Sequence, residues 1–252
     1  MLEFLDRFPY LGANLLLLPV VLAGLVTLRV QWRAAVASGA LFVPFAFASL
    51  AYVPDYWQPV RLFDVLRTGP EDVLLSFGTG VLVWLIAFGP LGRRIDVGCS
   101  RRQFLRRYAG VSVAGVALAS VVGRGGLSVG HAGLVSIAVV GLFLLTRRGD
   151  LWMCAIRGGL GFAAIYQVLL TFVFWCWPHL LSQWNLARLS GILVAGVPLE
   201  ETAWSLTTGF TWTLFMGHAL ATQVASAREH PCAAPPRQYR AAAIRLPANR
   251  SA

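Results

Sequence analysis

The sequence predicts an all-α integral membrane protein with about seven transmembrane helices, built as two parallel three-helix repeats plus a connecting helix. Three observations lead to this prediction. The 252 residues are 57% hydrophobic and 13% charged, whereas soluble domains are usually about 45–50% apolar and about 25% charged. Apolar runs of about 20 residues, the length that crosses a bilayer, recur along the chain. A ten-residue pattern occurs twice, at residues 71–80 and 200–209.

Seven apolar segments have the length of a spanning helix. They cover roughly residues 10–30, 34–53, 70–91, 104–122, 128–146, 156–177 and 192–222. Gly69 and Pro70 open the third segment, and Gly196 and Pro198 lie near the start of the seventh. Proline is well tolerated in a first helical turn. The third and seventh helices are therefore expected to begin in the same way.

The basic residues predict the orientation of the chain in the membrane. All 21 are arginine, and most of them fall in the loops and tail on one side of the seven segments. Cytoplasmic loops are enriched in arginine and lysine. We therefore expect an integral protein, of a bacterial inner membrane, with an outer N-terminus and a cytoplasmic C-terminus. This distribution is a topology signal, so the net charge of +10 does not indicate nucleic-acid binding.

The duplicated pattern reads EDVLLSFGTG in the first copy and EETAWSLTTG in the second. The acid pairs align, and so do Ser76 with Ser205, Thr79 with Thr208, and Gly80 with Gly209. Parallel repeats of this kind place a shared site between two halves. We divide the chain into a first repeat (1–103), a connecting helix (104–127), a second repeat (128–225) and a disordered cytoplasmic tail (226–252).

Helical spacing separates the two acids of each pair. Asp72, Ser76 and Thr79 lie on one face of a helix, because they are four and then three residues apart. Glu201, Ser205 and Thr208 repeat this spacing. Glu71 and Glu200 each come one residue earlier and are turned about 100° away. One acid of each pair is thus expected to face the interior while the other faces a loop or the headgroups.

Buried carboxyl groups suit acid–base chemistry on a lipid-soluble molecule. An apolar pocket favours the neutral acid, and two neighbouring carboxyls separate each other's titrations. Trp57, Trp184 and Trp204 lie near the acids in sequence, and aromatic faces stabilise cations at close range. The alternative is structural: acids in a first turn complement the helix dipole, and membrane tryptophans often form an interfacial belt. Arg61 and Arg188 are candidate ion-pair partners of the carboxyls, or snorkelling side chains.

These motifs resemble the membrane-integral lycopene cyclase family in its heterodimeric and fused forms. The matching stretches are 55–59 with 70–77, and 184–185 with 196–206, and the string GVPLEE is the closest match. The resemblance implies protonation of a terminal alkene of lycopene, ring closure and proton loss, with no net redox change, cofactor or metal. It assigns acid and base roles to four residues, without distinguishing the roles: Glu71, Asp72, Glu200 and Glu201.

The predicted substrate-binding residues flank these acids and share the helix faces described above. They are Trp57, Ser76, Thr79, Trp184, Asn185, Trp204, Ser205 and Thr208. The expected partners are a carotenoid or other isoprenoid substrate and the membrane, and the oligomeric state is left open. Where the family has paired phenylalanines, this chain has Trp204-Ser205 and Leu75-Ser76, which leaves fewer aromatic groups to stabilise a cation.

Three alternatives remain open on sequence grounds. A different isoprenoid could be the substrate of a cyclase or a transferase, although a magnesium-dependent transferase needs several spread oxygen ligands and this chain has adjacent acid pairs. A proton-coupled carrier would be expected to place its acids at mid-span. A non-catalytic assembly protein with capped helices is the third. The four cysteines and four histidines show no metal-ligand spacing.

The predicted orientation can be tested with a topology reporter. A reporter fused after Arg228 is expected to be cytoplasmic, because most arginines would then lie on the inner side. A matched fusion in the loop between the third and fourth segments serves as a second inner position. A periplasmic signal from both fusions would overturn the orientation.

Overall fold

The computed structural model describes residues 2–63, 65 and 67–224, and the predicted tail at 226–252 lies outside them. Nine α-helices and four short strands occur in these residues. The helices are α1 (Leu2–Arg7), α2 (Pro9–Thr27), α3 (Trp32–Phe42), α4 (Ser49–Tyr52), α5 (Pro70–Phe88), α6 (Arg101–Arg124), α7 (Val129–Arg147), α8 (Trp152–Cys176) and α9 (Leu199–Ala219). The strands are β1 (Ile95–Val97), β2 (Leu193–Val194), β3 (Val197–Pro198) and β4 (Thr222–Val224).

Six helical segments of the described residues are long and apolar enough to cross a membrane. They are Pro9–Thr27, Trp32–Tyr52, Pro70–Arg94, Arg101–Arg124, Val129–Arg147 and Gly149–Cys176. The predicted all-α membrane class is thereby confirmed. The second segment joins α3 to α4 through a 3₁₀ turn at Val43–Ala48. Pro44 lies at the start of this turn, where its missing N–H and its ring interrupt the α-helical pattern.

The seventh predicted segment, 192–222, differs from the structure at its start. Residues 193–198 form the β2–β3 hairpin, and α9 begins only at Leu199. Ala195 and Gly196 both have positive φ angles at the tip of this hairpin, a conformation that a helix cannot contain. Helix α9 is also absent from the six membrane-length segments. Its acid pair and threonines make it less apolar, so a count of seven spans stays a prediction.

The helices pack in two groups around α5 and α9. Helices α2 and α3 pack against α5, helices α7 and α8 pack against α9, and α5 also contacts α8 and α9. Helix α6 packs on α7 and α9. These groups coincide with the helices that the sequence assigns to the two repeats, although a common origin stays a prediction. The motif helices α5 and α9 thus lie at the centre, where 13 residues of each are buried.

The two motif glycines allow close helix contacts. A Cβ atom on Gly80 would lie 2.6 Å from the carbonyl oxygen of Ser38 in α3, and one on Gly209 would lie 2.5 Å from that of Gly158 in α8. Small residues at such contacts let membrane helices approach closely. This part of the duplicated pattern therefore serves helix packing.

Polar groups hold the other end of α9. Arg148 donates hydrogen bonds to the carbonyl oxygens of Gly217 and Thr222, and Arg107 donates to that of His218 at 3.2 Å. Cations near a helix C-terminus complement its dipole. Strand β4, which follows α9, pairs antiparallel with β1. The arginine-rich end of the bundle is therefore tied together across several elements.

Replacement of Gly209 by alanine is expected to destabilise the protein. The added methyl group would overlap the backbone of Gly158, and forced separation of packed elements typically costs about 1–3 kcal/mol. Gly110→Ala is the matched control, because nothing lies within 4 Å of a Cβ atom on that α6 glycine. Thermal unfolding in detergent measures both. Equal melting temperatures for the two variants would contradict the close packing of α8 and α9.

Candidate active site

The segments that precede the two acid motifs lie side by side. Trp57 and Trp184 form an antiparallel β-bridge, and their rings are 5.5 Å apart between centroids. The backbone N–H of Asn185 donates to the carbonyl oxygen of Tyr56 at 3.0 Å. Both segments belong to the stretches that resemble the family, and the structure places them in contact. The pairing brings the N-terminal ends of α5 and α9 towards one another.

Asp72 forms a buried ion pair. Arg61 Nε donates to Asp72 Oδ2 at 2.7 Å, and the two side chains are 2% and 6% exposed. The backbone N–H of Gly69 donates to the same oxygen at 2.7 Å, and Tyr10 donates its hydroxyl to Oδ1 at 3.1 Å. The Asp72 carboxyl group therefore accepts hydrogen bonds from a guanidinium, a backbone N–H and a phenol. The guanidinium also lies 5.9 Å from the ring centroid of Trp57.

Glu201 is held by three uncharged donors. Tyr56 Oη and Trp184 Nε1 each donate to Oε1 at 2.8 Å, and Tyr166 Oη donates to Oε2 at 2.9 Å. No ion pair of Glu201 is found among the described residues. Burial raises the pKa of Tyr56 far above its usual value. This phenol therefore keeps its proton and remains a donor.

Glu71 and Glu200 make a different and mutually similar contact. The backbone N–H of Leu62 donates to Glu71 Oε1 at 2.6 Å, and that of Ser190 donates to Glu200 Oε1 at 2.6 Å. In each half, the first acid of the pair thus binds the loop that leads into its own helix. Glu200 also lies 3.7 Å from Nε2 of His131. These contacts suit anchoring of the loops.

An apolar cavity of about 350 Å³ lies between the two motif helices and their neighbours. Asp72 and Glu201 both line it, and Glu71 and Glu200 do not. The other sequence-predicted site residues that line it are Trp57, Ser76, Thr79, Trp184, Trp204 and Thr208. Asn185 and Ser205 lie outside the lining, and the Ser205 hydroxyl donates to the carbonyl oxygen of Thr202. The helical-face argument therefore selected the acid of each pair that reaches the cavity.

The cavity extends well beyond the acids. Its lining on α9 runs from Glu201 to Phe215, which is roughly 21 Å along a helix axis at 1.5 Å per residue. Thr79 and Thr208 lie at equivalent depths, and neither hydroxyl has a hydrogen-bond partner in the described part of the chain. An elongated apolar molecule with one end at the carboxyl groups matches this shape.

Aromatic residues from outside the motifs line the cavity. Near the acids these are Tyr10, Tyr52, Tyr56 and Tyr166, and further along they are Phe42, Phe45, Trp212 and Phe215. The sequence pointed to a shortage of aromatic groups because only the positions beside Ser76 and Ser205 were compared. The structure corrects that expectation, since α2, α3, α8, the segment between α3 and α5, and the C-terminal half of α9 supply further rings. Apart from Tyr56, Trp212 and Phe215, these residues lie far from the motifs in sequence, so no local signal pointed to them.

The two candidate arginines differ. Arg61 binds Asp72, as the sequence suggested. Arg188 lies 3.7 Å from Asp55, and both of these side chains are about half exposed. Exposed ion pairs contribute little to stability. Arg61 therefore contacts the cavity acid of the first motif. Arg188 lies beside Asp55 instead.

Loss of the Arg61 charge is expected to destabilise the fold. Arg61→Met leaves the Asp72 carboxylate buried without this partner, which typically costs about 3–5 kcal/mol. Arg61→Met combined with Asp72→Asn should recover part of the loss, because the second change removes the buried charge. Denaturant unfolding followed by tryptophan fluorescence measures all three forms. A double variant less stable than Arg61→Met alone would contradict the ion-pair interpretation.

A comparison with known families bears on this site. Residues 132–219 match the model of the lycopene cyclase family. The match covers most of α7, all of α8 and α9, and the loop with Trp184, so it includes Tyr166 and Glu201. It confirms the resemblance to this family and supports a carotenoid cyclase function. Searches of curated proteins and of solved structures found no match.

Proposed function

We propose that this chain, whose residues 132–219 match the lycopene cyclase family, closes a β-ionone-type ring on a lycopene-like carotenoid by proton transfer without net redox change. One observation supports this most directly. A single apolar cavity brings together two carboxyl groups, Asp72 and Glu201, in unlike surroundings. Pairs of carboxyls with unlike surroundings are suited to separate acid and base roles.

Glu201 is the proposed proton donor. As a neutral acid its carbonyl oxygen can accept from Tyr56 and Trp184, and its hydroxyl oxygen can accept from Tyr166. The acid proton is then left free to point at a substrate alkene. After the proton leaves, the same three donors stabilise the carboxylate. Donors that are in place before charge develops lower the barrier to its formation.

Asp72 is the proposed carboxylate. It is ion-paired with Arg61, and as a carboxylate it can stabilise the positive charge that follows protonation of the alkene. A carbocation is a very strong acid, so a carboxylate that is bound to a guanidinium can still accept the proton that the cation loses. Oδ1 has the longer hydrogen bonds, from Tyr10 at 3.1 Å and from Arg61 Nη2 at 3.5 Å, and is the oxygen that can accept the proton. Asp72 thus completes the cycle as base.

The aromatic lining protects and stabilises the cation. Ring faces attract positive charge, more strongly where water is excluded. Trp57, Trp184 and Trp204 line the cavity at the acid end. Exclusion of water also prevents capture of the cation as an alcohol. We assign Glu71 and Glu200 a positioning role through their loop contacts.

The proposal is tested in a bacterium that accumulates lycopene. Expression of the parent chain is expected to yield a monocyclic or bicyclic carotenoid, detected by chromatography and mass spectrometry. Glu201→Gln and Asp72→Asn should each lower product formation by about 10²–10⁴-fold, the usual contribution of a general acid or base. Glu200→Gln and Glu71→Gln are the matched controls, since an amide oxygen can still accept the loop N–H.

Two results would contradict parts of this proposal. Unchanged lycopene from a well-inserted parent would remove lycopene cyclisation and leave a different isoprenoid, a carrier or an assembly role. Equal losses in all four variants would remove the distinction between cavity acids and loop-binding acids. Activity that survives Glu201→Gln and fails in Asp72→Asn would exclude Glu201 as the proton donor.

A further inference from the structure

We propose that the cavity opens sideways into the bilayer between α6 and the second helical segment, and that the polyene chain of the substrate passes through this opening. The opening is defined by Ala48 and Val116. The proposal rests on the proposed function, because it takes an isoprenoid as the occupant of the cavity. The opening itself is inferred from which residues of the cavity lining are exposed.

Exposure identifies the two rim residues. The cavity lining is otherwise buried or half-buried, whereas Ala48 and Val116 are exposed and also line the cavity. Val116 is 64% exposed. The two residues belong to different elements, the 3₁₀ turn at Val43–Ala48 and helix α6. We place the connection between the cavity and the exterior at residues that line the cavity and are also exposed.

The position of the opening along the helices indicates that it faces the hydrocarbon region of the bilayer. Val116 lies eight residues before Arg124 at the end of α6, or roughly 12 Å along the helix axis. The stretch 108–123 carries no charged residue, as expected for a segment in contact with hydrocarbon. Ala48 lies four residues before Tyr52, at the end of the second membrane-length segment. An opening at this depth would admit apolar chains and exclude polar solutes.

The packing of α6 leaves room for such an opening. None of its residues is buried, although five of them line the cavity. Three of these five are small: Ser112, Gly115 and Ala119. Tyr108 donates to the carbonyl oxygen of Leu41 at 2.5 Å, and Arg107 donates to that of His218. Both of these bonds lie in the N-terminal third of α6, away from Val116.

The shape and the lining of the cavity indicate which kind of molecule occupies it. The cavity wall is overwhelmingly apolar, and its two carboxyl groups lie at one end. A carotenoid with its reacting end at Asp72 and Glu201 is delivered from the bilayer, where such hydrocarbons dissolve. A lateral opening lets the end group reach the acids without exposing the chain to water.

Bulky rim residues test the opening. Val116→Trp and Ala48→Trp are expected to lower kcat/KM for lycopene in proteoliposomes by about tenfold or more, chiefly through KM. Val113→Trp is the matched control, because Val113 is 67% exposed on the same helix and does not line the cavity. Equal kinetics for Val116→Trp and Val113→Trp would overturn the proposal.

A second measurement needs no catalysis. A nitroxide is attached to Val116→Cys, Ala48→Cys or Val113→Cys, each in a background with the four native cysteines replaced by serine. Lycopene is expected to reduce label mobility at positions 48 and 116, and to leave position 113 unchanged. Unchanged spectra at 48 and 116 would overturn the opening. So would labels at 113 and 116 that are equally immobile without lycopene, which would indicate a second protein copy over α6.

The two proposals fail in different ways. A parent that makes no cyclic product, but whose labels at 48 and 116 respond to lycopene, retains the opening and loses the cyclase reaction. A parent that cyclises lycopene while the rim variants behave like Val113→Trp retains the reaction and loses the opening.

Discussion

The need to compensate buried carboxyl groups in an apolar bundle governs the arrangement of this protein. Four acids begin the two central helices, and all four are buried. Two of them bind the backbone of the preceding loops, one binds an arginine and one binds three uncharged donors. An uncompensated charge would be costly at this depth. These contacts therefore fix the loops, the helix starts and the side chains that form the cavity.

Periodicity and composition predicted much of this structure. The length and apolarity of six segments were recognisable, and the 3.6-residue period separated Asp72 and Glu201 from their neighbours. The hairpin before α9 was missed, since its turn depends on a positive φ at Ala195, a residue type that gives no such signal. Tyr10 and Tyr166 could not be found either. Each reaches the site from a distant helix, and their positions depend on packing.

Similar sequence motifs here support unlike chemical surroundings. Both motif copies present a carboxyl to the same cavity, and both place a glycine at a close helix contact. The difference comes from the partners outside the motifs, because Arg61 contacts Asp72 while Arg188 lies beside Asp55. A short motif therefore determines where a carboxyl lies, and its neighbours determine what that carboxyl can do.

The unlike partners of Asp72 and Glu201 have a consequence for symmetry. Two copies of the second motif would present two equivalent glutamates and no arginine-bound carboxylate, so the proposed roles of donor and acceptor could not be divided between them. Two first halves would present two aspartates, each neutralised by a guanidinium. One copy of each motif provides one carboxyl of each kind facing a common space. Because both motifs belong to one polypeptide, their one-to-one ratio is fixed, whereas separate subunits would have to achieve it by selective association.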